Sequence, residues 1–376
     1  MKKRLIPLFA SVALLAAGAS SCGETEQWSW EKATADGEFG YIVCIGEDGN
    51  PEAIDRTQGC KDAIEEICAD AGLKPVLLEE HICVDNAGSW SDTEAQNFVT
   101  RAVSQYAGKL DFIVSNNDGM AVAASTANGL TPGTPIVGFD ALSSACDMII
   151  NGSLAGSVSQ NGDDQALIVA TMLGNMVAGN DTVIDEDYGG RAEIVLDDLD
   201  QHLVSTKLTA VTASNAAEMK PGNYVTDLDE ISGLSDKNLL VVEYNATDNF
   251  IQETFHRALP HYAEALGFGT VDTIQGDGNN DTGLQDLLRN QLTTKTYSAV
   301  ALNVITHTNY QQYLNIIRAS DTDLPVVFFN RQPMADNDNT ADISGIANTY
   351  FVGSSSSGQG TAQGQIIKDW YNNLTK

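Results

Sequence analysis

Positive charge is what this chain has least of. Its 376 residues carry 20 Lys and Arg against 51 Asp and Glu, a formal net charge of −31. A surface of that sign repels phosphate backbones, which excludes nucleic acid as a partner. Histidine is scarce as well, and His81, His202, His256, His261 and His307 form no metal-ligand spacing. There is no Gly-x-Ser-x-Gly elbow, no phosphate-binding glycine loop and no His-Glu-x-x-His helix, so the usual signatures of hydrolases, nucleotide enzymes and zinc proteases are absent. After residue 22 no apolar run approaches the roughly 18 residues of a membrane span.

Cysteine is also sparse. Six are present, and setting Cys22 apart leaves an odd number. Cys60 and Cys68 sit on one predicted helix, about 12 Å apart, too far to bond each other. Cys44 and Cys83 fall on predicted strands and could pair if those strands are neighbours. Buried free thiols acting as small hydrophobes are the simpler reading.

The first 22 residues read as an address. Lys2, Lys3 and Arg4 form a basic start, Leu5 to Ala17 an apolar segment, and Ala19-Ser20-Ser21-Cys22 a small-residue end. That end resembles the bacterial lipoprotein signal, although Ala19 departs from its usual Leu. The resemblance implies lipidation at Cys22, an extracytoplasmic location, and membrane attachment through the lipid alone. A plain secretory signal cut near Ser21 gives the same compartment without the anchor.

What the chain does have is room for about two domains, and 43% hydrophobic residues to fill them. Residues 23–37 read as a polar tether. From Tyr41 the pattern alternates, with strands at 41–45, 75–78 or slightly beyond, 110–114, 135–139 and 155–158 and helices at 53–71, 91–107 and 165–177. Such alternation predicts parallel sheet with right-handed crossovers. Residues 191–235, acidic and turn-rich, break the rhythm. It restarts with the apolar strand Leu239-Leu240-Val241-Val242, turn chemistry from Asn245 to Asn249, and a helical pattern at 251–266. Strands at 270–274, 299–304, 325–329 and 349–352 and helices at 283–292, 310–319 and 358–374 complete the second unit. That unit begins like a first strand, two-thirds of the way along the chain.

Polar side chains collect at the strand ends: Asn50, Glu52 and Arg56; Asn117 and Asp118; Asp140; Gln160; Asp248 and Asn249; Asn330 and Arg331. Trp90 and Phe250 lie in or near the same loops. In an open α/β sheet, ligands sit at the carboxyl ends of the strands. Planar polar groups in fixed geometry suit sugar hydroxyls, and aromatic rings stack on the C–H faces of a pyranose. Taken singly, strand-end Asn and Asp are helix caps and turn formers. Taken as a set drawn from both units, they point to a sugar.

These motifs resemble the galactose/glucose-binding periplasmic proteins with the two halves exchanged. Asp248-Asn249-Phe250, Pro325-Val326-Val327-Phe328-Phe329-Asn330 and Tyr350-Phe351-Val352-Gly353 are similar to the family's N-terminal part. Gly49-Asn50-Pro51-Glu52 with Arg56, then Trp90, Asn116-Asn117-Asp118, Gly138-Phe139-Asp140 and Gly156-Ser157-Val158 are similar to its C-terminal part. The resemblance implies an α/β fold of two Rossmann-like lobes of the type I periplasmic-binding-protein kind, with parallel sheets, a three-segment hinge and a circular permutation. One lobe would hold 38–159, 191–218 and 353–376, the other 160–190 and 236–352, with 219–235 a linker across the old ends. The helix at 358–372 should then pack on the lobe of residues 41–150, and the helix at 165–177 on the lobe of Leu239.

Carried over residue by residue, Asp248 and Asn330 would hold hydroxyls from one lobe, and Arg56, Asn117 and Asp140 from the other. Gln160 would stand near the hinge, and Phe250 and Trp90 would sandwich the ring. Asn50 and Glu52 stand where the family has His and Asp, which leaves the epimer open. The family's calcium loop is reduced to Trp30–Glu38, which lacks alternating oxygen ligands, so no metal or cofactor is expected. Asp277 to Asp281 reads as a turn and helix cap, because Leu288 stands where an EF-hand needs Glu. The implied function is a monomeric, non-enzymatic binder of a galactose- or glucose-like monosaccharide. It would serve ABC transporter membrane subunits or a chemoreceptor. A sensor without transport is the alternative, and a carbohydrate-active enzyme a remoter one.

Overall fold

The computed structural model describes residues 27–86, 88–183, 202–336, 339–354 and 356–374. Cys22 with its leader, and the first part of the acidic stretch at 191–235, lie outside them. The first unit opens with the single turn α1 (Trp30–Ala33), capped by Ser29. It continues as β1 (Glu38–Ile45), α2 (Pro51–Ala71), β2 (Lys74–Ile82), α3 (Asp92–Gln105), β3 (Phe112–Ser115), α4 (Asp118–Ser125), β4 (Ile136–Val137), α5 (Ser143–Ile150) and β5 (Ser157–Ser159). Helix α6 (Gly162–Ala178) follows, then two short strands, β6 (Leu203–Thr206) and β7 (Thr209–Val211). The second unit runs β8 (Asn238–Glu243), α7 (Asn249–Glu253), α8 (Phe255–Ala265), β9 (Thr270–Gln275), α9 (Asp281–Thr294), β10 (Ala299–Leu302), α10 (Tyr310–Ser320), β11 (Val326–Phe329), β12 (Thr349–Ser354) and α11 (Ser356–Leu374).

Two sheets result. One has the order β2-β1-β3-β4, all parallel, and the other β6-β12-β11-β10-β8-β9, all parallel. Central strands such as β3, β10 and β11 are buried at every residue, as a sheet covered on both faces requires. Each sheet flanks its earliest main strand in the same way: β2-β1-β3 in one, β9-β8-β10 in the other. Strand β8 therefore holds the place of a first strand in a doubly wound unit.

The terminal helix packs where the sequence implies. Helix α11 lies along α2, and a Cβ on Gly59 would fall 2.2 Å from the Gly360 backbone, so small residues set the close approach. Gln363 Nε2 donates to the carbonyls of Ser115 (2.7 Å) and Gly138 (3.0 Å), tying α11 beneath the first sheet. Helix α6 crosses to the second unit and packs on α8, β10 and β11.

Three local expectations change. Leu203–Thr206, expected on the first lobe within 191–218, instead pairs with β12 and completes the edge of the second sheet, where Leu203 and Val204 are buried. The chain returns to the first lobe at Lys207-Leu208, before β7 pairs antiparallel with β5. Gly353 and Ser354, also expected on the first lobe, are the last residues of β12 in the second sheet. The helix predicted at 251–266 breaks at Thr254, whose hydroxyl bonds back to the Phe250 carbonyl at 2.5 Å. The five cysteines from Cys44 to Cys146 are buried free thiols; Cys44 and Cys83 are neighbours, and a hydrogen bond between the two thiols together with burial pushes the Cys44 thiol up.

Candidate functional site

Between the carboxyl ends of the two sheets lies a cleft of about 360 Å³. Glu52, Arg56, Trp90, Asn117, Asp140 and Gln160 line it on one side, and Tyr244, Asp248, Phe250, Asn330 and Arg331 on the other. Nine of the ten side chains that the sequence assigns to a ligand are in that lining. Several reach it because they are also helix caps. Asn117 caps α4 through Oδ1 (2.9 Å to the Met120 N–H), with its Nδ2 unengaged among the described residues. Asp248 caps α7 through Oδ1 (2.9 Å to the Ile251 N–H) and accepts the Tyr244 hydroxyl on Oδ2. The cap reading and the cleft reading are thus both true of the same residues.

Asn50 does not line the cleft. Its Oδ1 caps α2 at the N–H groups of Glu52 (2.9 Å) and Ala53 (3.1 Å), and its Nδ2 reaches Glu47 (3.1 Å) and His307 (3.3 Å). With both ends of the amide engaged, it supports the wall.

Backbone strain gathers here. Trp90 (φ 63°), Asp140 (φ 115°) and Asn330 (φ 59°) occupy the left-handed region that non-glycine residues avoid. Each such residue costs about 1–3 kcal/mol and persists where the surroundings hold it. Gly46 helps to hold Trp90: it accepts the Trp90 N–H at 2.8 Å, and a Cβ at Gly46 would sit 2.0 Å from the indole.

The chain passes between the sheets near Gln160, at Lys207-Leu208 and after Ser354, and Gln160 links all three crossings. Its carbonyl accepts from Thr206 Oγ1 (3.1 Å) and Gln165 Nε2 (2.8 Å), its Oε1 from Ser354 Oγ (2.8 Å), and its Nε2 donates to Asp140 (2.7 Å). From Ser354 the network runs through Gln359 to Arg56 Nε. A hinge residue is therefore wired to two cleft residues.

Contacts also cross the mouth. Arg331 meets Glu47 at 3.2 Å, Asn249 Nδ2 donates to Asp92 at 3.0 Å, and the Ser143 N–H donates to Glu253 at 2.8 Å. The lobes are closed on each other.

A two-lobe hinge with a polar cleft at facing strand ends has known counterparts. Residues 23–181 match the periplasmic binding protein domain family. The chain has the type I periplasmic binding protein fold. In sequence it is similar to the D-galactose/methyl-galactoside binding periplasmic protein of Haemophilus influenzae, 33% identical over 161 residues, which are 41% of this chain and 45% of that protein. The chain spans less than half the length of the curated relatives it matches. In structure it is similar to a carbohydrate transporter solute binding protein of Agrobacterium radiobacter in complex with D-arabinose (TM-score 0.53, 12% identity, 89% of each chain). It is also similar to an ABC transporter solute binding protein of Agrobacterium vitis bound with α-D-tagatopyranose (TM-score 0.52, 12% identity, 90% and 89% of the chains). The domain family that residues 23–181 match is one of binding proteins, not of enzymes.

In this cleft the charges are unevenly matched. Arg56 lies 3.8 Å over the Phe139 ring and donates to the Asn116 carbonyl at 2.8 Å; burial lowers its pKa against the pull of Asp140 and Glu52. Arg331 stacks 3.9 Å over Tyr244; burial opposes its charge, but Glu47, Tyr244 and Glu52 outweigh it and hold the guanidinium firmly protonated. Burial pushes the Asp140 carboxyl up to about 7, with Asp248 and Glu52 adding and Arg56 and Gln160 opposing. Glu52, Asp140 and Asp248 thus outnumber the two arginines, and Glu47 already engages one of those. The surroundings suit a neutral ligand that both donates and accepts hydrogen bonds.

Sequence reasoning passes over Glu47, Tyr244 and His307. Tyr244 hides at the end of an apolar strand, and its one signal is a position four residues before Asp248. Glu47 sits in a turn of small and acidic residues where nothing marks it. Among the described residues no group of three or more His, Cys, Asp or Glu is placed to hold a metal ion. Asp277 accepts the N–H groups of Asn279 and Asn280, and Asn280 caps α9, so that loop is a turn and cap.

Proposed function

We propose that the protein captures a galactose- or glucose-like monosaccharide between its lobes, outside the cytoplasm, and hands the closed complex to ABC transporter membrane subunits. The observation that carries this is the convergence of Arg56, Trp90, Asn117, Asp140, Asp248, Phe250 and Asn330 on one cleft beside a three-stranded hinge. Trp90 and Phe250 supply apolar faces from opposite lobes, and the polar set supplies hydroxyl partners. Sugars named with the relatives, D-galactose, D-arabinose and α-D-tagatopyranose, agree in class.

In this reading Cys22 carries a lipid and the chain works as an anchored monomer. The chain is also a circular permutation. Strand β8 holds a first-strand place, α11 packs on the opposite unit, and Trp28 lies against Trp370 with ring centroids 5.8 Å apart, so residues near both ends meet on the first lobe. A rewired chain that begins at residue 236, and joins 374 to 30 through a flexible link, should fold and bind as the native order does. Failure of that chain to fold would count against the permutation. Calorimetric titration with galactose, glucose, xylose and ribose tests the sugar reading, and no heat from any of them contradicts it.

A further inference from the structure

We infer that the cleft holds a second subsite, continuous with the first, that takes a glycosyl substituent, so that the protein accepts a disaccharide. The inference rests on the sugar reading of the first site. Trp90, Asn117 and Asp248 line the 360 Å³ cleft and also an adjoining hollow of about 570 Å³. The hollow lies between the loop that follows β2 and the loop that follows β8, so both lobes wall it. Thr247 and Asn249 on its rim are exposed, which leaves a way out for a substituent while the lobes stay shut.

The lining chemistry is selective. Apart from Trp90 and a glycine, every side chain in the hollow is a hydroxyl, an amide or a carboxylate, and none is Lys or Arg. That composition repels a sugar phosphate or a sugar acid and suits neutral hydroxyls. Trp90 borders both spaces and supplies the one apolar side chain they share. Asp92, held by Asn249 Nδ2 at 3.0 Å, closes the wall between the lobes. Burial, with Asp248 and Asp85 nearby, pushes the Asp92 carboxyl up to about 6.

Titration of the full mature protein with galactose and glucose, and then with lactose, melibiose, cellobiose and maltose, is the test. At least one disaccharide should bind within about tenfold of the better monosaccharide, or tighter. A protein that binds a monosaccharide but rejects all four disaccharides by about a hundredfold or more keeps its proposed function and loses the second subsite. A protein that binds no sugar loses both. Ser89→Tyr, which fills the hollow away from the first site, should cost the disaccharide about tenfold and leave the monosaccharide within about twofold. Thr93→Tyr, on the first turn of α3, provides a second filling variant with the same expected split. Parallel losses for both sugars, or no loss for either, would overturn the assignment.

Discussion

Glu47 and Arg331 meet across the cleft from opposite lobes, carboxylate to guanidinium at 3.2 Å. Arg331 also donates to the Ile305 carbonyl at 2.6 Å and stacks on Tyr244. Glu47 accepts from Trp90 Nε1 and Asn50 Nδ2, each at 3.1 Å. Burial raises the Glu47 carboxyl, but Arg331, His307, Trp90 and Asn50 together hold it below its ordinary range. One carboxylate in a turn thus gathers an aromatic wall, a helix cap and a cation of the other lobe.

Contacts made only in the closed form are what favour closing. Glu47→Gln keeps the shape, removes the charge and leaves Arg331 buried with less compensation. Truncating one partner of a buried charge pair costs about 2–5 kcal/mol. Glu47 keeps 27% of its side chain exposed, which places the effect at the lower end. Sugar affinity should fall at least tenfold, read by calorimetry; unchanged affinity would remove the pair from the closing energy.

Asp248→Ala should weaken sugar binding by about tenfold or more and lower stability by about 1 kcal/mol, because it removes an N-cap along with a cleft carboxylate. Asp248→Asn separates the two effects. Its Oδ1 keeps the cap, so the melting temperature should hold while affinity still falls. An alanine variant with native affinity would take Asp248 out of the site.

The chain has four tryptophans, and three of them cluster away from the cleft. Trp28 and Trp30 lie 5.8 Å and 6.2 Å from Trp370, against the terminal helix. Only Trp90 lines the cleft. Sugar should therefore change intrinsic fluorescence through Trp90. Trp90→Phe should abolish the change and Trp28→Phe should keep it; the reverse pattern would place the ligand elsewhere.

Much of the architecture was legible because strands buried on both faces write themselves as runs such as Leu239-Leu240-Val241-Val242 and Val326-Val327-Phe328-Phe329. The cleft residues were legible for a related reason. Strand ends need caps and turns, and Asn117 and Asp248 serve as caps while facing the cleft. Strand β6 was not legible as part of the second sheet, since four residues of weak pattern carry no information about which edge they complete. Glu47 and Tyr244 were missed because their roles depend on what the opposite lobe and the helix turn bring to them, which local sequence does not encode.

The Asp140 carboxyl sets a pH dependence whose sign can be worked out. With its pKa pushed from 3.8 to about 7, the folded protein holds a proton that the unfolded chain releases between about pH 4 and pH 7. Its contribution to stability therefore falls as pH rises across that window and is level above it. Asp111, pushed up to about 7 mainly by burial, and Asp163, pushed up to about 6 by the same cause, act in the same direction. The melting temperature without sugar should rise from pH 8 to about pH 5, and Asp140→Asn should flatten part of that slope. A melting temperature that climbs from pH 5 to pH 8 would contradict the assignment.

The sugar reading itself meets its most direct test in one calorimetric titration of the mature protein with galactose, glucose, xylose and ribose. Binding of at least one of them with a micromolar constant, about −8 kcal/mol, and one site per chain is the predicted result. No heat from any of the four, at protein concentrations that would reveal a millimolar constant, would contradict it.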